Sequence, residues 1–262
     1  MEDFTGGIKQ MSKSLQEIQK QMAESMRHMS ELINQINKSY FQAVGGLKES
    51  LRKFAEALKN YYEQVPKYLL IIAEHGWFIE LDSDLILPAE VVADIKNNKI
   101  KKVDNYLCNY HSENFNRIKR QLLKRHSKRK NIFNEIFIAH MDENYCVAIP
   151  TILSQVDGIC YDFTKKKFFI KDKKLFLPEV TADIENLAEG FLKIFLSPIQ
   201  NQTPIMARKE DLVKYPSKFN RHEIIHGVST TYGNKINSYK ALSLLKYISD
   251  LLMETEERKN SV

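Results

Sequence analysis

Phe219-Asn220-Arg221-His222-Glu223-Ile224-Ile225-His226-Gly227 is the stretch on which the reading of this chain turns. Read from Arg221 it is Arg-His-x-x-x-His: a permanent cation for a phosphate and imidazoles that titrate near neutrality for proton transfer. Read from His222 it is His-Glu-x-x-His, which sets two imidazoles one helical turn apart with a carboxylate to activate a zinc-bound water. Both readings need a helix here. Ser217 is placed to cap it, and Gly227 to end it just past His226.

The surrounding composition predicts that the whole chain is helical. Of 262 residues only 9 are Gly and 7 Pro, and the intervals between them are filled with Leu, Ile, Lys, Glu, Ala and Gln. Hydrophobic residues at 43% and charged residues at 27% are ordinary for a globular chain, and the length suffices for one substantial core or one domain with a helical extension. The 3 cysteines, Cys108, Cys146 and Cys160, are odd in number and lack C-x-x-C spacing, which argues for a reducing compartment rather than a disulfide framework. Met1-Glu2-Asp3-Phe4 opens no signal peptide, and the longest apolar run, Tyr68 to Ala73, is too short for a bilayer. The expectation is a soluble, cytoplasmic, all-α protein with no membrane partner.

Three regions follow from the patterning. In residues 1–64, Ile8, Met11, Leu15, Ile18 and Met22, then Met29, Leu32 and Ile36, recur at steps of three and four with one gap at Ser25, where Met26 sits one position off, as in a coiled-coil seam or a long amphipathic helix. Gly45-Gly46 is placed to kink that helix, which resumes through Leu47, Leu51, Phe54, Leu58 and Tyr61 and is expected to stop before Pro66. Such a seam offers a surface for self-association or for a partner protein.

Residues 65–127 form a basic helical region. Trp77-Phe78-Ile79-Glu80-Leu81 reads as a brief extended piece, Pro88 opens a short helix, and Asn105 to Arg125 reads as one helix.

Residues 128–262 continue with a helix over Arg129 to Met141 and a nearly all-apolar one over Tyr145 to Tyr161, the expected buried centre. Asp157 inside it needs a partner. Lys165 to Leu177 reads as a hairpin or basic loop, and Pro178 to Leu196 as helix. Asn237 or Ser238 is placed to cap a last helix whose apolar face runs from Ala241 to Leu252.

The net charge of +6 is mild but uneven. Between Lys96 and Lys130 only Asp104 and Glu113 oppose a crowd of lysines and arginines, and between Lys165 and Lys174 only Asp172 does. Concentrated positive charge attracts polyanions, although a solvated lysine-rich face looks the same in sequence. Lys119, Arg120, Lys124, Arg125 and Arg129, with Asn220 beside the motif, are the candidate RNA contacts.

The zinc reading lacks a third ligand close by: no His follows His226, which leaves Glu254, Glu256 or Glu257 from the last helix. The arginine reading is joined by a resemblance. Arg221-His222-x-x-x-His226 resembles the R-[NHD]-x-x-x-H signature of the HEPN superfamily. The likeness extends to Tyr232-Gly233-Asn234-Lys235-Ile236-Asn237-Ser238 and, upstream, to Arg129-Lys130-x-Ile132, Ala139-His140, Tyr145 and Ile149-Pro150-x-x-x-Ser154-Gln155-x-Asp157-Gly158. It covers Lys128 to about Met253.

The resemblance implies a HEPN-like helical bundle acting as a metal-independent endoribonuclease without cofactor, of the toxin or phage-defence kind. Arg221 would stabilise the phosphorane, His226 transfer the proton and His222 assist. It also implies a homodimer, because on one ideal helix Arg221 and His226 point about 140° apart and paired motifs can meet across a two-fold axis. A non-catalytic HEPN-like interaction module and a His-Glu-x-x-His zinc hydrolase are the alternatives.

Overall fold

The computed structural model describes Met22, residues 25–27, Ser30 and residues 45–259 with the exception of Leu175. The coiled-coil expectation over Ile8 to Ile36 therefore lies almost wholly outside the described residues. The chain divides into two compact units, Met1–Pro66 and Lys67–Val262. Among the described residues there are helices and no strands, with one isolated antiparallel bridge between Lys171 and Pro178.

Helix α1 (Gly45–Glu74) runs through Pro66 instead of stopping before it. An internal proline costs about 3 kcal/mol in a lost hydrogen bond and steric strain. Burial of Leu69, Ile72 and Ala73 on the continuing turns outweighs that cost.

The second unit then builds α2 (Leu87–Lys96), α3 (Ile100–Glu113), α4 (Phe115–Arg125), α5 (Lys130–Met141), α6 (Tyr145–Thr164), α7 (Thr181–Leu187), α8 (Lys209–Leu212), α9 (Arg221–Ile225) and α10 (Lys235–Lys259). Two expected helices are broken. Asn105 to Arg125 divides at Asn114, whose side chain donates to Tyr110 O and accepts from Arg117 Nε. Pro178 to Leu196 divides where Ala188 turns extended and Gly190 takes φ +51°, and continues as a 3-10 segment, Gly190–Leu196.

The buried centre is α10 rather than α6. Residues 238–255 are buried without interruption, whereas Val147 and Tyr161 on α6 are exposed. Packed against α6, α3, α7 and α4, α10 carries more than its expected apolar face into the core. Its polar residues survive burial because each finds a partner. Ser243 Oγ accepts from Phe78 N, His126 Nε2 and Ser249 Oγ share a hydrogen bond of 2.8 Å, and His140 Nδ1 and Ser238 Oγ share another of 2.8 Å. Ser238 is thus occupied inside the core; the first turn of α10 is capped by Asn234, whose Oδ1 accepts from Asn237 N.

At the middle of α10 the Lys246 ammonium is fully enclosed, 2.9 Å from Glu80, 3.0 Å from Asp82 and 2.6 Å from Asp250. Arg117 closes on Glu80 and Asp82 from α4, and Arg125 on Asp250. Three carboxylates thus face three cations. Burial opposes the charge on Lys246, yet Asp250, Glu80 and Asp82 hold its pKa above the usual lysine value. The extended Trp77–Leu81 piece has no strand partner; α10 holds it, with Leu81 N donating to Asp250.

Candidate functional site: a cationic cleft at the Arg221 helix

Helix α9 is five residues long, Arg221–Ile225, and is fixed from below. Its N-cap is Asn220 and not Ser217: Asn220 Oδ1 accepts from Glu223 N at 3.1 Å, while Nδ2 donates to Pro204 O and Ala207 O. Ser217 Oγ instead accepts from Phe219 N. Ile224 is buried as the anchor. The helix ends at His226, and Gly227 takes φ +70°, a left-handed turn that a side chain would strain. Two amides, Val228 N and Ser229 N, then fold back onto Glu223 O at 2.9 Å each.

With one side pinned, α9 presents Arg221, His222 and His226 outward. The Arg221 guanidinium lies over the Phe169 ring, 5.4 Å from its centroid. Phe169 is itself held by its N–H, which donates to Asp157 Oδ1 at 2.8 Å. Burial pushes the Asp157 carboxyl above the usual range, an effect only partly offset by that N–H and by the charge of Arg221. His222 and His226 are both exposed, with ring centroids 4.4 Å apart.

Arg221 and His222 open onto a cleft of about 350 Å³, together with Phe169, Lys171, Arg208, Lys209 and Glu210. His226 does not line it. Arg208 lies over Phe176, 5.6 Å from the ring centroid, so a phenylalanine from the 165–178 loop backs each cleft arginine. The amine of Lys171 is held below the usual lysine value by burial and by the neighbouring Arg208, with Asp211 opposing. Four cations against the single carboxylate Glu210 make this wall suited to an anion.

The expected RNA contacts are not gathered here. Asn220 is buried and fully engaged as a cap, so it is a structural residue. Arg125 is buried on Asp250. Arg129 is spent on Asp162, on Gln155 Oε1 and on the carbonyl of Gly158, where a side chain at position 158 would collide with its guanidinium. Lys119 sits over Phe137, and Arg120 and Lys124 are exposed on α4; none of the three lines the cleft. Sequence reasoning missed Arg208 and Phe169 as cleft residues. The Arg-Lys pair at 208–209 in the polar connector was the available signal, but nothing local says that the connector folds against the 165–178 loop.

Among the described residues the acidic or histidine donors that converge closely enough for an ion are Glu80, Asp82 and Asp250, and the Lys246 ammonium stands among them. Among the described residues no third donor joins His222 and His226. Among the described residues, no helix is long and apolar enough to cross a membrane.

Compared with family models, with curated proteins and with solved structures, the chain matches none.

Proposed function

We propose that this protein is a metal-independent endoribonuclease whose active cleft is organised by Arg221, His222 and His226. The observation that carries this reading is the state of Arg221. The arginines that reach into the core, Arg117, Arg125 and Arg129, each meet a carboxylate. Arg221 forms no ion pair among the described residues, although the Asp157 carboxyl feels its charge; it rests on an aromatic face in a cationic cleft that His222 also lines, with His226 next to His222. An unneutralised guanidinium held in place is what a phosphodiester needs to stabilise charge as it builds in the transition state.

The chemistry follows from the ribose. One imidazole removes the proton of a 2′-hydroxyl, whose oxygen attacks the adjacent phosphorus. Arg221 bridges the non-bridging oxygens of the phosphorane. The P–O5′ bond then breaks and the leaving oxygen takes a proton from a second imidazole, giving a 2′,3′-cyclic phosphate and a 5′-hydroxyl. His222 lines the cleft beside Arg221 and acts there. His226, exposed and outside its own chain's cleft wall, acts across a two-fold dimer in the cleft of the partner subunit. By its resemblance to HEPN proteins the chain serves as a toxin or phage-defence effector, an association that rests on family likeness rather than on the cleft.

Mixing Arg221→Ala with His226→Ala subunits tests the shared site. Each homodimer should be inactive, while the heterodimer rebuilds one cleft and recovers part of the activity. A mixture as inactive as its components would refute the shared site.

A further inference from the structure

The cleft holds more charge than one scissile phosphate requires. Lys171 and Arg208 come from two separate segments, the 165–178 loop and the connector before α8, and meet closely enough for the charge of Arg208 to lower the affinity of Lys171 for its proton. Neither forms an ion pair among the described residues, although Asp211 is near enough to act on both; Asp211 is taken up by Lys214. Two like charges left facing each other and a shared cleft cost free energy that an anion recovers on binding. Arg208 is also pre-aimed by the half-exposed Phe176 ring, in the way Phe169 aims Arg221.

We propose that Lys171 and Arg208 form a second phosphate subsite, so that the cleft grips two phosphates of an unpaired strand, one at Arg221 and one flanking it. The assignment rests on the ribonuclease reading for the phosphate at Arg221. The strand is single because the cleft, at about 350 Å³, lies at the small end of sites that take one small ligand, roughly 300–1,000 Å³. A duplex keeps its bases stacked inside and cannot enter such a space, whereas an unpaired strand can splay a nucleotide into it and stack on rings and guanidinium planes such as Phe176 and Arg208.

The test compares a dinucleoside monophosphate, which has only the phosphate at Arg221, with a tetranucleotide that adds flanking phosphates. Both are made with 2′-O-methyl ribose so that binding is read without cleavage, using the full chain. Lys171→Gln/Arg208→Gln should weaken tetranucleotide binding and reduce the slope of log affinity against log salt by about 0.7, the contribution of the one phosphate that the subsite neutralises on a single strand. Dinucleotide binding should not change. Arg208 is exposed, so Arg208→Gln alone is a second variant that leaves the fold intact and should give about half the slope change, with Arg208→Lys restoring it.

Equal losses on both ligands, or an unchanged tetranucleotide slope, would overturn the subsite. Because this arm needs no turnover, a protein that binds as described but cleaves nothing would keep the subsite and sink only the nuclease reading.

Discussion

Arg221 and Phe169 stand face to face, guanidinium over ring at 5.4 Å, although they come from segments separated by two short helices and a long connector. The ring does for Arg221 what Asp250 does for Arg125, but without cancelling its charge. A cation–π contact of this kind is worth roughly 0.5–2 kcal/mol. Phe169→Leu should therefore lower kcat by roughly 2- to 30-fold on an RNA substrate with little change in thermal stability, and Phe169→Tyr should retain activity. Steady-state kinetics on the two variants decide this; wild-type kcat in Phe169→Leu would mean that the ring does not position Arg221.

The enclosed Lys246 is predicted to be one of the most sensitive positions in the fold. Lys246→Met would leave Glu80, Asp82 and Asp250 crowded together with one cation too few. Removing one partner from a buried ionic cluster costs about 3–5 kcal/mol. Urea unfolding should show that loss as a lower midpoint. A variant as stable as the wild type would show that the cluster contributes little.

Acid should destabilise the protein below neutrality. Burial pushes His111 and His126 down to about 3 and His140 to about 4, from an ordinary value of 6.5. The unfolded chain takes up these protons as pH falls through 6.5, while the folded chain refuses them until about 3–4. The unfolded state therefore binds more protons in that window, and stability falls as pH falls, with the loss complete only below the folded values. The depressed carboxyl of Asp82 acts in the same sense. Urea midpoints measured from pH 7.5 to 4.5 should decline steadily, and less steeply in His140→Gln. A flat profile would contradict the burial of these imidazoles.

Much of the helical scaffold was legible because helix period and proline or glycine punctuation are local. Lys130–Met141 and the short helix opened by Pro88 follow from such signals. The centre was misplaced because α10 buries Lys246, Asp250 and three serines, and a polar residue in a core is recognisable only through its partner, which lies far away in sequence. The site divides in the same way. Arg221, His222 and His226 stand out by local spacing, and one short helix carries the first two with His226 as its C-cap. Their neighbours Phe169, Lys171 and Arg208 belong to the cleft only through tertiary folding. Conversely, charge counting put Arg125 and Arg129 on the surface, because counting cannot see that Asp250 and Asp162 neutralise them.

Whether Arg221 stabilises a cleaving phosphodiester without a metal is decided by a single assay. Purified full-length protein and its Arg221→Ala variant, checked for equal melting temperature, are incubated with end-labelled single-stranded RNA in EDTA, and the product ends are analysed. That role for Arg221 requires cleavage by the wild type with 2′,3′-cyclic phosphate ends, and a rate at least a hundredfold lower, on the order of the loss of one oxyanion-stabilising donor, in the variant. Intact RNA with the wild type, or equal cleavage by both proteins, would contradict it.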